Sequence, residues 1–319
     1  VSAGPPDEER AGVALTNLDK PLLDGATVTK RDLVDYLDRV ADRIVPVLAG
    51  RALSVIRVRP GQPPFMQKNL PKYAPGWMNS TTVWAEASSR QVRYALCDDR
   101  RTLLWFANQR SIEYHPTLRT VGSAHPSHLV LDLDPPAGTD FPVVVATARL
   151  VQHALEEAGL SGAVKTSGAK GLHIYVPLAA EVTAEEAAAA TRAIAARAER
   201  IDPSIATTAY LLADRAGKVF LDSTRAHGGT VVAAYSPRVR PGFPVSFPLP
   251  WDRLDEVKPA DFTISTAVGL LGDGDPWRDL MPAPQHLPAD LVEQGRAIPV
   301  ARVQAMHEGK RRARARRQA

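Results

Sequence analysis

Residues 128–134 read His-Leu-Val-Leu-Asp-Leu-Asp. The alternation has a period of two, the signature of a β-strand with one apolar face. Leu129, Leu131 and Leu133 share that face and require a core to cover them. Asp132 and Asp134 share the opposite face, about 6 to 7 Å apart along the strand. Charges are costly inside a sheet, so the aspartate face must meet water, a basic partner or a cation.

Two carboxylates on one face repel unless positive charge lies between them. Solvent, or pairing with Lys or Arg, is the plainer solution. A pair of divalent ions is the other, because neighbouring carboxylates bridge ions about 3.5 to 4 Å apart. All-oxygen ligands suit Mg²⁺ or Mn²⁺ and not zinc. In "KVFLDST", Phe220 and Asp222 share a face, so Asp222 is a third strand aspartate able to complete such a site. The pair Asp98 and Asp99 precedes a helix and is explained by capping.

The chain has 319 residues with 45% apolar content, enough to bury a substantial core. Its single cysteine, Cys97, excludes an intramolecular disulfide and fits a reducing cytosol. No secretory or transit pattern opens the sequence, and no apolar stretch is long enough to span a bilayer. A cytoplasmic protein with no membrane partner is expected. The net charge of +4 is uneven, because "HEGKRRARARRQA" carries six basic residues against Glu308. A basic tail of this kind binds nucleic acid phosphates or stays simply solvated.

Periodicity predicts a helix from Thr29 that ends near Val45 at Pro46, and strands at "SVIRVRP" and "QVRYALC". A short helix follows Asp99. "PVVVATARLVQHALEEAG" predicts a helix stopped by Gly159, and Thr183 with Glu186 forms a capping box for another. "KGLHIYVPL" and "KVFLDST" predict strands, and "TVVAAYS" a hairpin partner for the latter across "RAHGG". The mixed order favours an α+β fold.

"KTSGAKGLHIYVPL" supplies chemistry beside the aspartates. Gly168 and Gly171 allow close approach of backbone to an anion, Ser167 offers a hydroxyl, Lys170 a cation, and His173 a strand-borne imidazole. The Walker spacing is absent, and a plain turn is the alternative for this loop alone.

Taken together, "LVLDLDP", "TSGAKGLHIYVPL" and "KVFLDSTRAHGGTVVAAYSPRVRPG" resemble the polymerase domain of bacterial ligase D, within the archaeo-eukaryotic primase superfamily. "LTNLDK", "PPFMQKNLPKYAPGW" and "PLPWDRLDEV" extend the likeness over roughly residues 13 to 260. The resemblance implies a primase-like catalytic core, with a mixed or antiparallel sheet related to the RNA-recognition motif and a second α/β module. It implies a flexible lead-in over 1–12, a catalytic domain of two interleaved modules over 13–300, and a basic tail over 301–319.

The same resemblance implies template-directed addition of nucleotides, with ribonucleotides preferred, at gaps and broken DNA ends during end joining. Asp132, Asp134 and Asp222 match the family's metal-binding aspartates, for two Mn²⁺ or Mg²⁺ ions. His115, Ser167, Lys170, Gly171, His173 and Arg238 fall at its nucleotide site. Asn17, Lys20 and Lys30 match its grip on a downstream 5′-phosphate. Phe65 falls where an aromatic stacks on a base, and Lys68 and Arg215 join it in template and primer contacts. DNA ends and nucleoside triphosphates are the implied partners, with ligase and end-binding repair proteins alongside.

Two departures stand out. Met66 occupies the place of a second stacking phenylalanine, and the loop after Asp222 is about one residue shorter, with Gly229 near a basic slot that Arg225 compensates. No ligase or nuclease sequence accompanies the domain, so a stand-alone primase-polymerase, as in actinobacteria, or an excised domain is expected. A non-catalytic DNA-end bridging module and a metal-dependent phosphoesterase are the rival functions.

Overall fold

The computed structural model describes residues 6–85, 90–225 and 229–300. The basic tail and the middle of "RAHGG" lie outside the described residues. The first module comprises β1 (Glu8–Arg10), β2 (Val13–Leu15), α1 (Lys30–Arg39), α2 (Ala41–Leu48), β3 (Arg51–Arg59), β4 (Gln62–Gln67), β5 (Ser80–Ala85), β6 (Arg90–Ala95), α3 (Arg100–Asn108) and β7 (Ser111–Thr120). β1 pairs with β2, so the expected loose lead-in is a strand at Glu8–Arg10. A sheet of order β4-β3-β6-β5, with β7 also on β3, carries this half.

Thr29 opens α1 with a capping box: it accepts the Asp32 amide, and Asp32 accepts the Thr29 amide. The expected single helix is instead broken at Val40, and Pro46 lies inside α2. Because α2 is only two turns long, the proline removes one hydrogen bond and interrupts no long ladder. Asp99 caps α3 by accepting the Thr102 amide, while Asp98 accepts from the Gly50 amide at 2.8 Å. Both aspartates are therefore structural, as read from the sequence.

The second module runs β8 (His128–Asp134), α4 (Phe141–Glu157), β9 (Ala163–Thr166), β10 (Leu172–Pro177), α5 (Ala184–Ile201), β11 (Ala206–Thr207), β12 (Val219–Asp222) and β13 (Pro248–Leu249). Its sheet has the order β11-β12-β8-β10-β9-β13, with only β11–β12 parallel. The inner strands β12-β8-β10-β9 thus form an antiparallel β-α-β-β-α-β core. This is the sheet expected from the RNA-recognition motif. Leu129, Leu131 and Leu133 are fully buried beneath α4 and α5. The predicted stripe of Val144, Ala148, Val151 and Leu155 is buried on α4 as well.

Short helices α6 (Ala267–Leu271), α7 (Pro276–Leu280) and α8 (Ala289–Ala297) close the chain, and α8 packs on α5. No helix among the described residues is long and apolar enough to cross a membrane.

The hairpin expected between "KVFLDST" and "TVVAAYS" does not form. Val231 and Ala233 instead donate to Pro116 and Tyr114 on β7, at 3.4 and 2.9 Å. The segment leaves the second sheet and binds the first, which ties the two modules together. Its β-branched residues are buried in either case, so composition could not distinguish the two partners.

Gly171 illustrates how tightly β8 and β10 approach. A Cβ placed there would lie 1.9 Å from the Leu133 carbonyl oxygen. Backbone cannot yield as a flexible side chain can. Gly171→Ala is expected to cost about 3 kcal/mol or more of stability, measured by urea denaturation. A wild-type midpoint would refute the required contact.

Candidate active site

Register builds the site. Asp222 on β12 stands opposite Asp132 on β8, Asp132 opposite His173 on β10, and His173 opposite Lys165 on β9. Directly opposed residues share a face, so these four side chains form one row across four strands. Asp134 lies two residues along β8, opposite Phe220. Asp132, Asp134, Asp222, Ser167, Lys170, Gly171, His173, Arg215 and Arg238 all line a cleft of about 610 Å³.

Arg225 dominates the electrostatics of that cleft. Its Nη2 lies 2.7 Å from Asp132 Oδ2 and 3.1 Å from Asp222 Oδ2. Its Nε has no hydrogen-bond partner. Arg215 meets Asp134 at 3.2 Å and stacks over Phe220 at 3.8 Å. The Asp222 Oδ1 atom is held by the Thr224 amide and hydroxyl at 2.8 and 2.6 Å. Burial alone would raise the Asp132 carboxyl, but His173 and the Arg225 guanidinium hold it far below the usual carboxylate range. Arg225 is correspondingly raised against its own burial by Asp132 and Asp222.

The donor set is three carboxylates, chemistry suited to a hard divalent cation. Among the described residues, no three acidic, histidine or cysteine side chains converge at metal-ligating distance. Arg225 lies against both Asp132 and Asp222 and supplies positive charge to each.

His173 Nε2 lies 3.2 Å from Asp132 Oδ1. Burial first, and Lys165 second, lower its pKa to about 4, so the ring is neutral at pH 7. Ser167 Oγ accepts the amides of Ala169 and Gly171, each at 3.2 Å. The expectation that the Gly171 amide faces an anion is therefore corrected: that amide is spent on Ser167, and the glycine is required by the contact with Leu133. Ser167 retains its hydroxyl proton for donation. Lys170 Nζ donates to the Pro135 carbonyl at 3.2 Å and lies at the cleft edge.

His115 is not among the cleft-lining residues. It reaches the site indirectly: His115 Nε2 and Arg238 Nε lie 2.9 and 3.0 Å from the same Glu113 oxygen. Burial would raise the Glu113 carboxyl, but these cationic and donor neighbours bring it down. Arg238 also donates to the Ser167 carbonyl.

A second cluster gathers at α1. The Lys30 amide donates to the Lys20 carbonyl at 2.9 Å, and the Lys20 amide to the Asn17 carbonyl at 3.3 Å. Asn17 sits at φ 54°, a left-handed conformation asparagine tolerates. Buried Lys30 donates to the Thr16 carbonyl. Desolvation, then repulsion by Arg110 and Lys20, lowers its pKa to about 8. Asp7 opposes these cations and offsets part of the shift.

Phe65 and Lys68 lie elsewhere, on and after β4. Phe65 faces Arg59 and Arg57 at 4.8 and 5.9 Å, an aromatic flanked by guanidinium groups, while Lys68 and Met66 are exposed. A separate cavity of about 450 Å³, walled by Pro46, Val47, Tyr175 and Trp277, lacks the aspartate row.

Sequence reading missed Glu113, Arg110 and the direct grip of Arg225. Glu113 was accessible, since it shares a strand face with His115 two residues on. Arg225 is three residues from Asp222, but nothing local shows that it bridges two strands. Arg110 carries no motif at all.

Comparison with known proteins accords with this geometry. Residues 29–277 match the family model for the LigD primase-polymerase domain. The bifunctional non-homologous end joining protein LigD of Bacillus subtilis is 35% identical over 283 residues, covering 87% of this chain and 45% of that protein. LigD of Mycobacterium tuberculosis, described as a multifunctional non-homologous end joining DNA repair protein, is 36% identical over 265 residues, covering 79% and 34%. The chain thus spans less than half the length of these relatives. A solved polymerase domain from M. tuberculosis ligase D, in complex with DNA, superposes with a TM-score of 0.78 at 34% identity, covering 86% of this chain and 98% of that one. The chain belongs to the LigD primase-polymerase family, a family of nucleotidyltransferases.

Proposed function

We propose that this domain extends primer 3′ ends at short gaps and broken DNA ends during non-homologous end joining, using ribonucleoside triphosphates by preference. The observation that carries this reading is the row of Asp222, Asp132 and His173, with Asp134 beside it, in a cleft walled by Ser167, Lys170 and Arg238. Acids on one side and donors or cations on the other suit a triphosphate and a primer hydroxyl. Comparison with a DNA-bound polymerase domain supports DNA as the partner. Ligase and end-binding repair proteins are proposed to act with it, in the cytoplasm at the nucleoid.

Asp132, Asp134 and Asp222 would hold two Mg²⁺ or Mn²⁺ ions. Such ions, when bound, lower the pKa of a primer hydroxyl and neutralise charge on departing pyrophosphate. The chain's own residues do the rest. Arg225 withdraws from Asp132 and Asp222 and becomes free to meet the incoming anion. Ser167 donates its hydroxyl proton to a phosphate oxygen, and Lys170 and Arg238 add positive charge. Glu113 holds Arg238 in place and orients His115. At the second cluster, Lys20, Lys30 and Asn17 grip the 5′-phosphate beyond the gap, while Phe65 stacks on a template base near Lys68, worth about 1 to 3 kcal/mol for the stack, and Arg215, in the cleft beside Asp134, contacts the primer end.

The decisive assay is single-nucleotide filling of a 5′-phosphorylated gap with Mn²⁺, comparing ribo- and deoxyribonucleotides. Strand growth with pyrophosphate release separates polymerisation from phosphoester hydrolysis and from passive bridging. Asp134→Ala is expected to lose about 10³-fold in rate, roughly 4 kcal/mol of barrier; extension at the wild-type rate would refute the assignment.

Arg225→Ala should melt at lower temperature than wild type in metal-free buffer, because Asp132 and Asp222 then repel. Added Mn²⁺ should stabilise this variant severalfold more strongly, as the ion meets no competitor. An Mn²⁺ response identical to wild type would remove Arg225 from the ion notch.

The Lys30 pKa of about 8 gives a pH signature. The ammonium that binds phosphate is present below that value and lost above it. The preference for a 5′-phosphate over a 5′-hydroxyl should therefore weaken between pH 7 and 9 in fluorescence anisotropy titrations. Lys30→Met should be weak and flat across that range, and a pH-independent preference in wild type would contradict the assignment.

A further inference from the structure

Lys165 is completely buried, on β9 directly opposite His173. No carboxylate lies within ion-pair distance of it among the described residues. A buried amine without a counter-charge is a cost, and an apolar side chain would pack there more cheaply. Its Nζ instead makes two short contacts, 2.9 Å to His173 Nδ1 and 2.6 Å to Ser246 Oγ.

The directions of these bonds are determined from both ends. The Ser246 hydroxyl proton is used on the Thr166 carbonyl at 2.7 Å, so Ser246 Oγ accepts from Lys165. At the other end the ionised Asp132 carboxylate can only accept, so His173 Nε2 carries the proton. With Nε2 aimed at Asp132 and the Ser246 proton already used, the nitrogen left facing Lys165 Nζ at 2.9 Å is Nδ1, the acceptor of a neutral ring, and Lys165 is the donor set against it. Burial drives the Lys165 pKa well down. The amine still has two N–H bonds when neutral, enough for both acceptors. The Tyr175 ring, 5.5 Å from Nζ, closes the remaining side.

We infer that Lys165 is a positioning residue that fixes the tautomer of His173, holding its Nε2–H aimed into the carboxylate and triphosphate cleft. The bond that one imidazole nitrogen makes decides which nitrogen carries the proton. Without the Lys165 donor, Nδ1–H becomes competitive and the ring presents a bare lone pair to an anionic pocket. The consequence for nucleotide use rests on the polymerase reading, whereas the tautomer does not.

The test uses the full chain labelled with ¹⁵N-histidine, in metal-free buffer at pH 7.5. His173 signals are identified by their loss in His173→Gln. Long-range proton–nitrogen correlation is expected to show the Nε2–H pattern in wild type. In Lys165→Met, with a cooperative melt to establish folding, the ratio of Nε2–H to Nδ1–H should fall about fivefold or more, the scale of one lost hydrogen bond. In gap filling, the same variant should raise the nucleotide KM about tenfold while kcat stays within about threefold. Two results overturn the inference: an Nδ1–H pattern in wild type, which needs no variant to fold, or a folded Lys165→Met that keeps the wild-type ratio. If the ratio falls but wild type extends no primer, the inference stands and the polymerase reading fails.

Discussion

A carboxylate on a middle strand of a sheet stays ionised only if its neighbours across both ladders supply charge or donors. Asp132 occupies that position, between β12 and β10. From β10 comes His173, and beyond the end of β12 comes Arg225, each within hydrogen-bond reach of a separate carboxylate oxygen. The leucines on the opposite face lock the orientation, because a one-residue slip would exchange core and cleft. The site is thus a direct result of strand register, and the sheet cannot form without presenting its acids together.

The surrounding charges have different degrees of commitment. Asp132 and Asp222 are largely covered, whereas the Asp134 side chain is 55% exposed and holds Arg215 from the rim. Exposed pairs contribute little to stability and exchange partners readily. Arg238 is more constrained, fixed by Glu113 on β7 and the Ser167 carbonyl on the second sheet's loop. It therefore bridges the two modules at the cleft. The strand-like segment over 231–234, hydrogen-bonded to β7, joins the modules at a neighbouring point. Site integrity and module packing depend on the same contacts.

Much of this was legible in local pattern. Period two placed Asp132 with Asp134 and Phe220 with Asp222, and the capping boxes at Thr29 and Thr183 located two helix starts. Period, however, states only which residues share a face. It does not state which strands are neighbours, so the opposition of Asp222 to Asp132 required either a resemblance or coordinates. The same blindness produced the hairpin that does not form, since "TVVAAYS" is equally suited to pairing with either sheet. The glycine pattern at Gly171 suggests a backbone approach to an anion, whereas its close approach is to Leu133. Arg225 reads in the sequence only as a loop substitute, and its reach across two strands depends on a turn that no sequence period encodes.

Two buried lysines show how similar desolvation can serve opposite ends. Lys30 and Lys165 both lose hydration and both have lowered pKa values. Around Lys30 two cations, Arg110 and Lys20, outweigh the opposing charge of Asp7, so an arriving anion improves its environment. Around Lys165 the immediate neighbours are the acceptors His173 and Ser246, and the Asp132 charge acts from beyond His173. The first arrangement leaves charge uncompensated until a ligand binds. The second spends its N–H groups internally, on the orientation of one imidazole. Burial alone does not distinguish a binding residue from a positioning residue; the character of the groups that face it does.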